Sequence, residues 1–342
     1  MIIEQAELRD SARRVISRIA KGSEDEAWRA IVQAGWPALT APESLGGLEQ
    51  SLRAACWLYL ELGRALSPAP LLASLLAIEV LGVCEPSATR DGWIERIAGG
   101  DRIAVSLLDP NTMNSYIGVV HAVLGADRAS HALIVSGADP LVALIALHGG
   151  GVDVVARPTW DATRALSDVG LPGAIPDDGL ILARGTAAKA AGGALSTHLH
   201  FAIAADCVGA AGCLLEQTIE HLKTRRQFDR PLASFQALKH RCADLKVTVQ
   251  AAEALLADYL VQIDDRQCGE PLALARAAKS IASSAFREVA EEAMQLHGGM
   301  SMTAEHPCHL FLKRALLNEQ LASPNDACDL AAARTAPRSI PE

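Results

Sequence analysis

Apolar residues recur at helical intervals over the first hundred positions. Leu8, Ala12, Val15, Ile16 and Ile19 fall on one face of a 3.6-residue repeat, the spacing of a half-buried helix. A second helix is expected from about Ser23 to Ala34, with Trp28, Ile31 and Val32 on one side. Pro42-Glu43-Ser44-Leu45-Gly46-Gly47 reads as a turn, because proline fixes φ and the paired glycines permit left-handed backbone. Helical spacing resumes from Leu52 to Leu66 and stops at Ser67-Pro68-Ala69-Pro70, after which another apolar helix begins.

The texture changes near Asp101. Ile103-Ala-Val-Ser-Leu-Leu, Tyr116-Ile-Gly-Val-Val, Ala132-Leu-Ile-Val and Leu141-Val-Ala-Leu-Ile-Ala-Leu are short runs separated by Gly, Asp and Pro, the pattern of a small β domain lasting to roughly Ala183. From Leu195 to about Leu317 long helices return. Leu245, Val249, Ala252, Leu256 and Tyr259 form one stripe, and Ala278, Ile281, Ala285, Val289 and Ala293 another, with Gly269-Glu270-Pro271 between them. Ala-rich seams of this kind suit a helical bundle. The tail from Thr335 to Glu342 is expected to fray. The fold class is therefore mainly α with a small central β domain: a helical domain over 1–100, a β domain over 101–185 and a four-helix bundle over 186–335.

Composition narrows the function. Half of the residues are hydrophobic and only 4% are aromatic, so the core rests on Ala, Leu, Val and Ile, as in a helix-rich chain. A net charge of −9 without any basic block argues against nucleic acid as a partner. The eight cysteines include no CxxC pair, so neither a disulfide framework nor a zinc-ligand spacing is expected. The N-terminus shows no basic segment followed by an apolar run, and Pro70 to Val83 is interrupted by Glu79 and too short to cross a bilayer. The expectation is a cytoplasmic protein with no membrane partner. No Walker A, Rossmann or G-x-S-x-G fingerprint occurs. Gly149-Gly150-Gly151 reads as a turn of the β domain.

Several motifs then stand out in order. They are Gly35-Trp36, Pro42-Glu43 with Gly46-Gly47, and Glu61-Leu62-Gly63; then Lys223-Thr224-Arg225-Arg226-Gln227-Phe228, Phe235-Gln236-Ala237-Leu238-Lys239-His240 and Ala278-Lys279; and finally Gln295-Leu296-His297-Gly298-Gly299 with Thr303 and Glu305. With the helical–β–helical order, they resemble the acyl-CoA dehydrogenases over nearly the whole chain. The resemblance implies that family's fold, with a barrel-like middle domain, and FAD as cofactor. It also implies a reaction in which a carboxylate takes the α-proton of an acyl-CoA thioester while the β-hydrogen leaves as hydride to the flavin.

In such enzymes the R-x-Q-F motif and the Q-x-H-G-G loop of one subunit hold the adenosine and pyrophosphate end of a flavin whose ring lies in the neighbour. The resemblance maps those contacts to Arg225, Gln227, Phe228, Phe235, Gln236, Gln295, Gly298 and Gly299. A guanidinium suits a pyrophosphate, and paired glycines let backbone N–H groups approach a ligand. Asp229 stands where the family usually has glycine.

The carboxylate is missing. One family position lies about 18 residues beyond Thr303, at Leu321, with Gln320 and Ala322 beside it. The other lies about 26 residues before Arg225, at Leu199, between His198 and His200. His198 and His200 are read as surface or packing residues, and His297 as a structural loop residue. The flavin-contacting turn of the β domain is also altered, reading Leu107-Leu108-Asp109-Pro110-Asn111-Thr112, with no Trp-Ile-Ser strand following. No catalytic or metal-binding residue is assigned. The chain resembles the base-lacking, shorter subunit of α2β2 acyl-CoA dehydrogenases that act on steroid side chains, with a homologous catalytic subunit as partner. Three alternatives remain: a homotetramer with Glu319 or Asp206 as a relocated base, a non-catalytic scaffold, or a flavin enzyme of related fold with oxygen or nitro chemistry.

Overall fold

The computed structural model describes residues 5–19, 23–68, 70–108, 117–136, 140–172 and 179–335. Its contacts divide into two compact units, residues 1–55 with 68–199 and residues 56–67 with 200–342.

The first unit opens with α1 (Gln5–Ile19) and α2 (Glu24–Gln33). Leu8, Ala12 and Ile16 are buried, as their spacing requires. Ser23 caps α2: its Oγ accepts from Glu26 N–H, while its own N–H donates 2.7 Å to Glu26 Oε2. This reciprocal box satisfies two donors that a helix start leaves orphaned. The Pro42–Gly47 turn forms with Gly46 at φ 80°, and a Cβ on Gly47 would stand 1.9 Å from Ala41 O, so only glycine fits there. α3 (Leu52–Arg64), α4 (Leu71–Val83) and α5 (Ala88–Ala98) follow. α4 is apolar nearly all round and packs on β1.

Seven strands make one mixed sheet: β1 (Ile103–Leu108), β2 (Ile117–Leu124), β3 (His131–Ser136), β4 (Leu141–Ala146), β5 (Asp153–Arg157), β6 (Leu166–Pro172) and β7 (Leu180–Arg184). Their order is β5-β6-β2-β1-β3-β4-β7, with β1 and β3 parallel and the other neighbours antiparallel. Alternate residues feed two cores. Ile103, Val105, Leu133 and Val135 join a cluster with α4 and α5, while Ala104, Ala132 and Ile134 join a second cluster with Val120 and Val169. Burial on both faces is why β3 and β4 read as unbroken apolar runs rather than alternating ones. Gly149, Gly150 and Gly151 all take positive φ in the turn before β5. Asp109 to Tyr116, including most of the altered flavin-contacting turn, lie outside the described residues.

α6 (Gly185–Thr224) starts ten residues before the expected Leu195, because Ala188, Ala191 and Leu195 pack against the first of those clusters. It is long and apolar enough to cross a membrane, but most of its apolar window is buried inside the protein. The remaining helices are α7 (Gln236–Asp264), α8 (Pro271–His297), α9 (Cys308–Gln320) and α10 (Asn325–Thr335), and a hairpin of β8 (Arg226–Gln227) and β9 (Arg230–Pro231) links α6 to α7. α10 lies past Leu317, where the run of long helices is expected to end, and residues 336–342 of the tail lie outside the described residues.

In the second unit α8 packs on α7, α9 and α10. Its buried stripe is Ala278, Ala282, Ala285, Phe286, Val289 and Ala293, whereas Ile281 is 45% exposed. Four of the five expected positions are therefore buried, and Ala282 rather than Ile281 fills the remaining place in the stripe. α3 and α6 touch backbone to backbone. A Cβ on Gly209 would lie 1.9 Å from Leu60 O, and one on Gly63 would lie 2.3 Å from the Asp206 carbonyl. The glycine of Glu61-Leu62-Gly63 is thus required by the close helix approach.

Candidate functional site

The Arg225–Phe228 segment leaves the end of α6 and turns at once. Arg226 pairs with Pro231 and Gln227 with Arg230, leaving Phe228 and Asp229 as the two-residue loop. Both have positive φ, 51° and 61°. That is the geometry of a type I′ turn, in which glycine, asparagine and aspartate are favoured. Asp229 therefore substitutes for glycine at a modest conformational cost. The Arg226 guanidinium donates 2.6 Å to Asp229 O, and Arg230 stacks 3.9 Å over the Phe235 ring. Phe228 meets Phe235 edge-on at 6.1 Å yet is 83% exposed. Arg225, Gln227 and Gln236 are exposed and Phe235 half-buried.

The second motif closes α8. Gln295 is exposed, and Gly298 is the C-cap with φ 65° and ψ −152°, a backbone state that disfavours side chains. Nothing lies within 4 Å of a Cβ placed on Gly298 or Gly299. The backbone there is open to a ligand.

Histidines join the two motifs. His221, in the last turn of α6, stacks on His297 with ring centroids 4.2 Å apart, and His306 meets His297 at 4.6 Å. His297 is buried, and its pKa falls to about 4, through burial first and then the charges of His221 and His306. His221 is lowered too, mainly by burial. Burial pushes the nearby Cys308 thiol up to about 11. His297 is thus a packed, uncharged group at neutral pH, in keeping with a structural role.

The positions where a base is expected are filled otherwise. Leu321 is the extended C-cap of α9. Lys279, fully buried, clamps the backbone on either side: its Nζ donates 2.7 Å to Glu319 O, 2.6 Å to Ser323 O and 2.8 Å to Asn325 Oδ1. Burial lowers the Lys279 pKa, opposed by surrounding acidic groups. Glu319 carries its own side chain to Arg287, 3.1 Å away. Asp206 is buried and held by Arg314 at 3.0 and 3.2 Å and by Asn318 Nδ2 at 2.7 Å. Beside Leu199, His198 is buried with Nδ1 3.6 Å from Glu79 Oε2, and His200 Nε2 lies 3.0 Å from Ser323 Oγ. Burial would raise the Glu79 pKa, but the contact with His198 and its charge outweigh that and hold it below the usual value. Sequence reasoning missed the Glu79–His198 pair and the cluster of His221, His297, His306 and Cys308. Their partners lie on different elements, and only the short His306-Pro307-Cys308 spacing was visible in the chain.

Comparison with known proteins places this arrangement. Residues 4–101 match the acyl-CoA dehydrogenase N-terminal domain and residues 194–325 the acyl-CoA dehydrogenase C-terminal domain. The chain is 35% identical to acyl-CoA dehydrogenase IpdE2 of Mycobacterium tuberculosis (strain ATCC 25618 / H37Rv) over 88% of its own length and 83% of the relative's. The chain belongs to the acyl-CoA dehydrogenase family of oxidoreductases, whose members are FAD-dependent. Its fold matches that of a chain in the ChsE4-ChsE5 complex from Mycobacterium tuberculosis, with a TM-score of 0.84, 22% identity, and 100% of this chain and 99% of that one covered. It also matches a Tcur3481-Tcur3483 steroid ACAD, with a TM-score of 0.81, 22% identity and 96% of both chains covered.

Proposed function

We propose that this chain is one subunit of a heteromeric, FAD-dependent acyl-CoA dehydrogenase that desaturates a steroid side-chain thioester. It contributes contacts to the adenosine and pyrophosphate end of FAD, and a homologous partner contributes the base, in an α2β2 assembly. The observation that carries this reading is an asymmetry. The side chains and glycines suited to the nucleotide end are exposed and open, while no carboxylate occupies either family base position.

The residues present fit the cofactor. Arg225 offers a guanidinium that keeps its charge, Gln227, Gln236 and Gln295 offer amides, Phe228 and Phe235 offer ring faces, and Gly298 and Gly299 offer approachable backbone. Open space around Gly298 and Gly299 supports this assignment. When bound, FAD supplies the hydride acceptor. This chain's part is to hold and orient the nucleotide, with His221 and His297 keeping the two motifs together.

Two observations weigh against a relocated base. Asp206 is committed to Arg314 and Asn318, and Glu319 to Arg287. Each of these carboxylates already serves a structural contact inside the helical unit. Heteromeric and steroid-directed relatives among the structural matches support the partner and substrate class. The test is co-expression with a base-bearing homologue and measurement of bound FAD. Arg225→Ala on this chain is expected to lower FAD occupancy of the complex; unchanged occupancy would remove Arg225 from the site.

A further inference from the structure

The turn between α8 and α9 gathers a cluster of which the flavin reading uses only His297, and that as a packing group. His297 ends α8, His306 lies in the turn, and Cys308 starts α9. A ring nitrogen of each histidine and the Cys308 sulfur all lie within 4.8 Å of one another. His297 and Cys308 are 8% and 1% exposed, and His306 is half-buried.

Hydrogen bonding fixes the state of His297. The Thr218 hydroxyl donates to Leu214 O at 2.8 Å, so its proton is already committed. At 3.3 Å, Thr218 Oγ1 can therefore only accept from His297 Nε2–H. The neutral ring then carries its lone pair on Nδ1, and that atom is buried without a hydrogen-bond partner among the described residues. A buried acceptor left unpaired is destabilising. A ring nitrogen with a free lone pair, its opposite N–H held by an oxygen, is how metal-binding histidines are oriented. His306 is also unprotonated at Nδ1, which accepts from Cys308 N–H at 3.2 Å.

We propose that His297, His306 and Cys308 form a binding site for a borderline-soft divalent cation of the zinc class. Two imidazoles and a thiolate match that ion's ligand preference, and a water molecule would complete the usual four ligands. Cys308 enters as thiolate and its proton passes to solvent on binding. A tetrahedral ion with nitrogen and sulfur bonds near 2.0–2.3 Å wants its ligand atoms roughly 3.3–3.7 Å apart. Closure thus requires side-chain movement of about an ångström, with the Cys308 N–H bond to His306 exchanged for the metal bond. The ion would pin both ends of the turn that carries Gly298 and Gly299. Binding itself does not depend on the flavin reading.

The experiment is equilibrium dialysis of the full chain against Zn2+ alone, with Co2+ as a spectroscopic replacement. One ion per chain is expected, with a near-ultraviolet cobalt–thiolate band. Cys308→Ala should abolish the band, and His306→Ala, at a half-buried position, should weaken Zn2+ binding by about tenfold or more. Far-ultraviolet dichroism reports whether each variant stays folded, and the His306 variant carries the test if the Cys308 variant does not. Failure to bind stoichiometric Zn2+ would overturn the proposal. So would a cobalt band that survives in Cys308→Ala, which would place the metal on another of the eight cysteines.

Discussion

His221 and His297 stack face to face, 4.2 Å between ring centroids, and through them the end of α6 meets the end of α8. Four residues beyond His221 lies Arg225, and one beyond His297 lies Gly298. Two motifs about 70 residues apart in the chain are thereby tied at one end of the second unit. Removing the stack should loosen the glycine turn first. In His221→Ala, amide exchange at Gly298 to Met302 is expected to accelerate, while exchange in α6 around Gly209 stays slow. Equal acceleration at both places would mean global destabilisation and would remove the coupling.

Asp206 is a structural carboxylate on this account. Asp206→Ala leaves Arg314 buried without its partner and should cost about 3 kcal/mol or more, read from the denaturation midpoint. Asp206→Asn, assembled with the partner, should keep its turnover per bound flavin. A fall of about a hundredfold or more in a folded complex would instead mark Asp206 as a general base.

The α3–α6 crossing tolerates no side chain. Gly209→Ala places a methyl group against Leu60 O, so the helices must separate, at a cost of about 1–3 kcal/mol. Gly193→Ala, where no atom lies within 4 Å of the added Cβ, should be neutral or slightly stabilising in the same helix. Equal melting temperatures for the two variants would refute the close approach.

Glu79 gives a pH signature. Its folded-state pKa is depressed, so the contact with His198 stabilises the fold above the unfolded carboxylate value and fades as pH falls through the folded one. The stability difference between wild type and Glu79→Gln should therefore shrink on acidification below the ordinary carboxylate range. A difference that stays constant down to full protonation would show that Glu79 gains nothing from His198.

Much of this was legible in the sequence, for identifiable reasons. The Pro42–Gly47 turn and the Gly269-Glu270-Pro271 break are local chemistry, and each forms where the sequence places it, whereas the Ser23–Glu26 capping box comes to light only in the structure. The α8 stripe forms as its spacing predicts except at Ile281, because Ala occupies so many α8 positions that Ala282 can take its place. The early start of α6 was hidden because Ala188 and Ala191 are buried by a sheet that no local pattern reveals. The base positions were read as vacant from the chain, but that Lys279 clamps one and Glu79 faces the histidine beside the other depends on long-range contacts. The histidine–cysteine cluster is hidden in part for the same reason, since His221 meets His297 from another helix.

The division of labour is tested most directly by the visible spectrum of the purified chain, alone and after co-purification with a base-bearing homologue, before and after addition of a steroid acyl-CoA. The account predicts flavin absorbance that bleaches with substrate only in the complex. A lone chain that carries a full complement of FAD and bleaches when the thioester is added would contradict it.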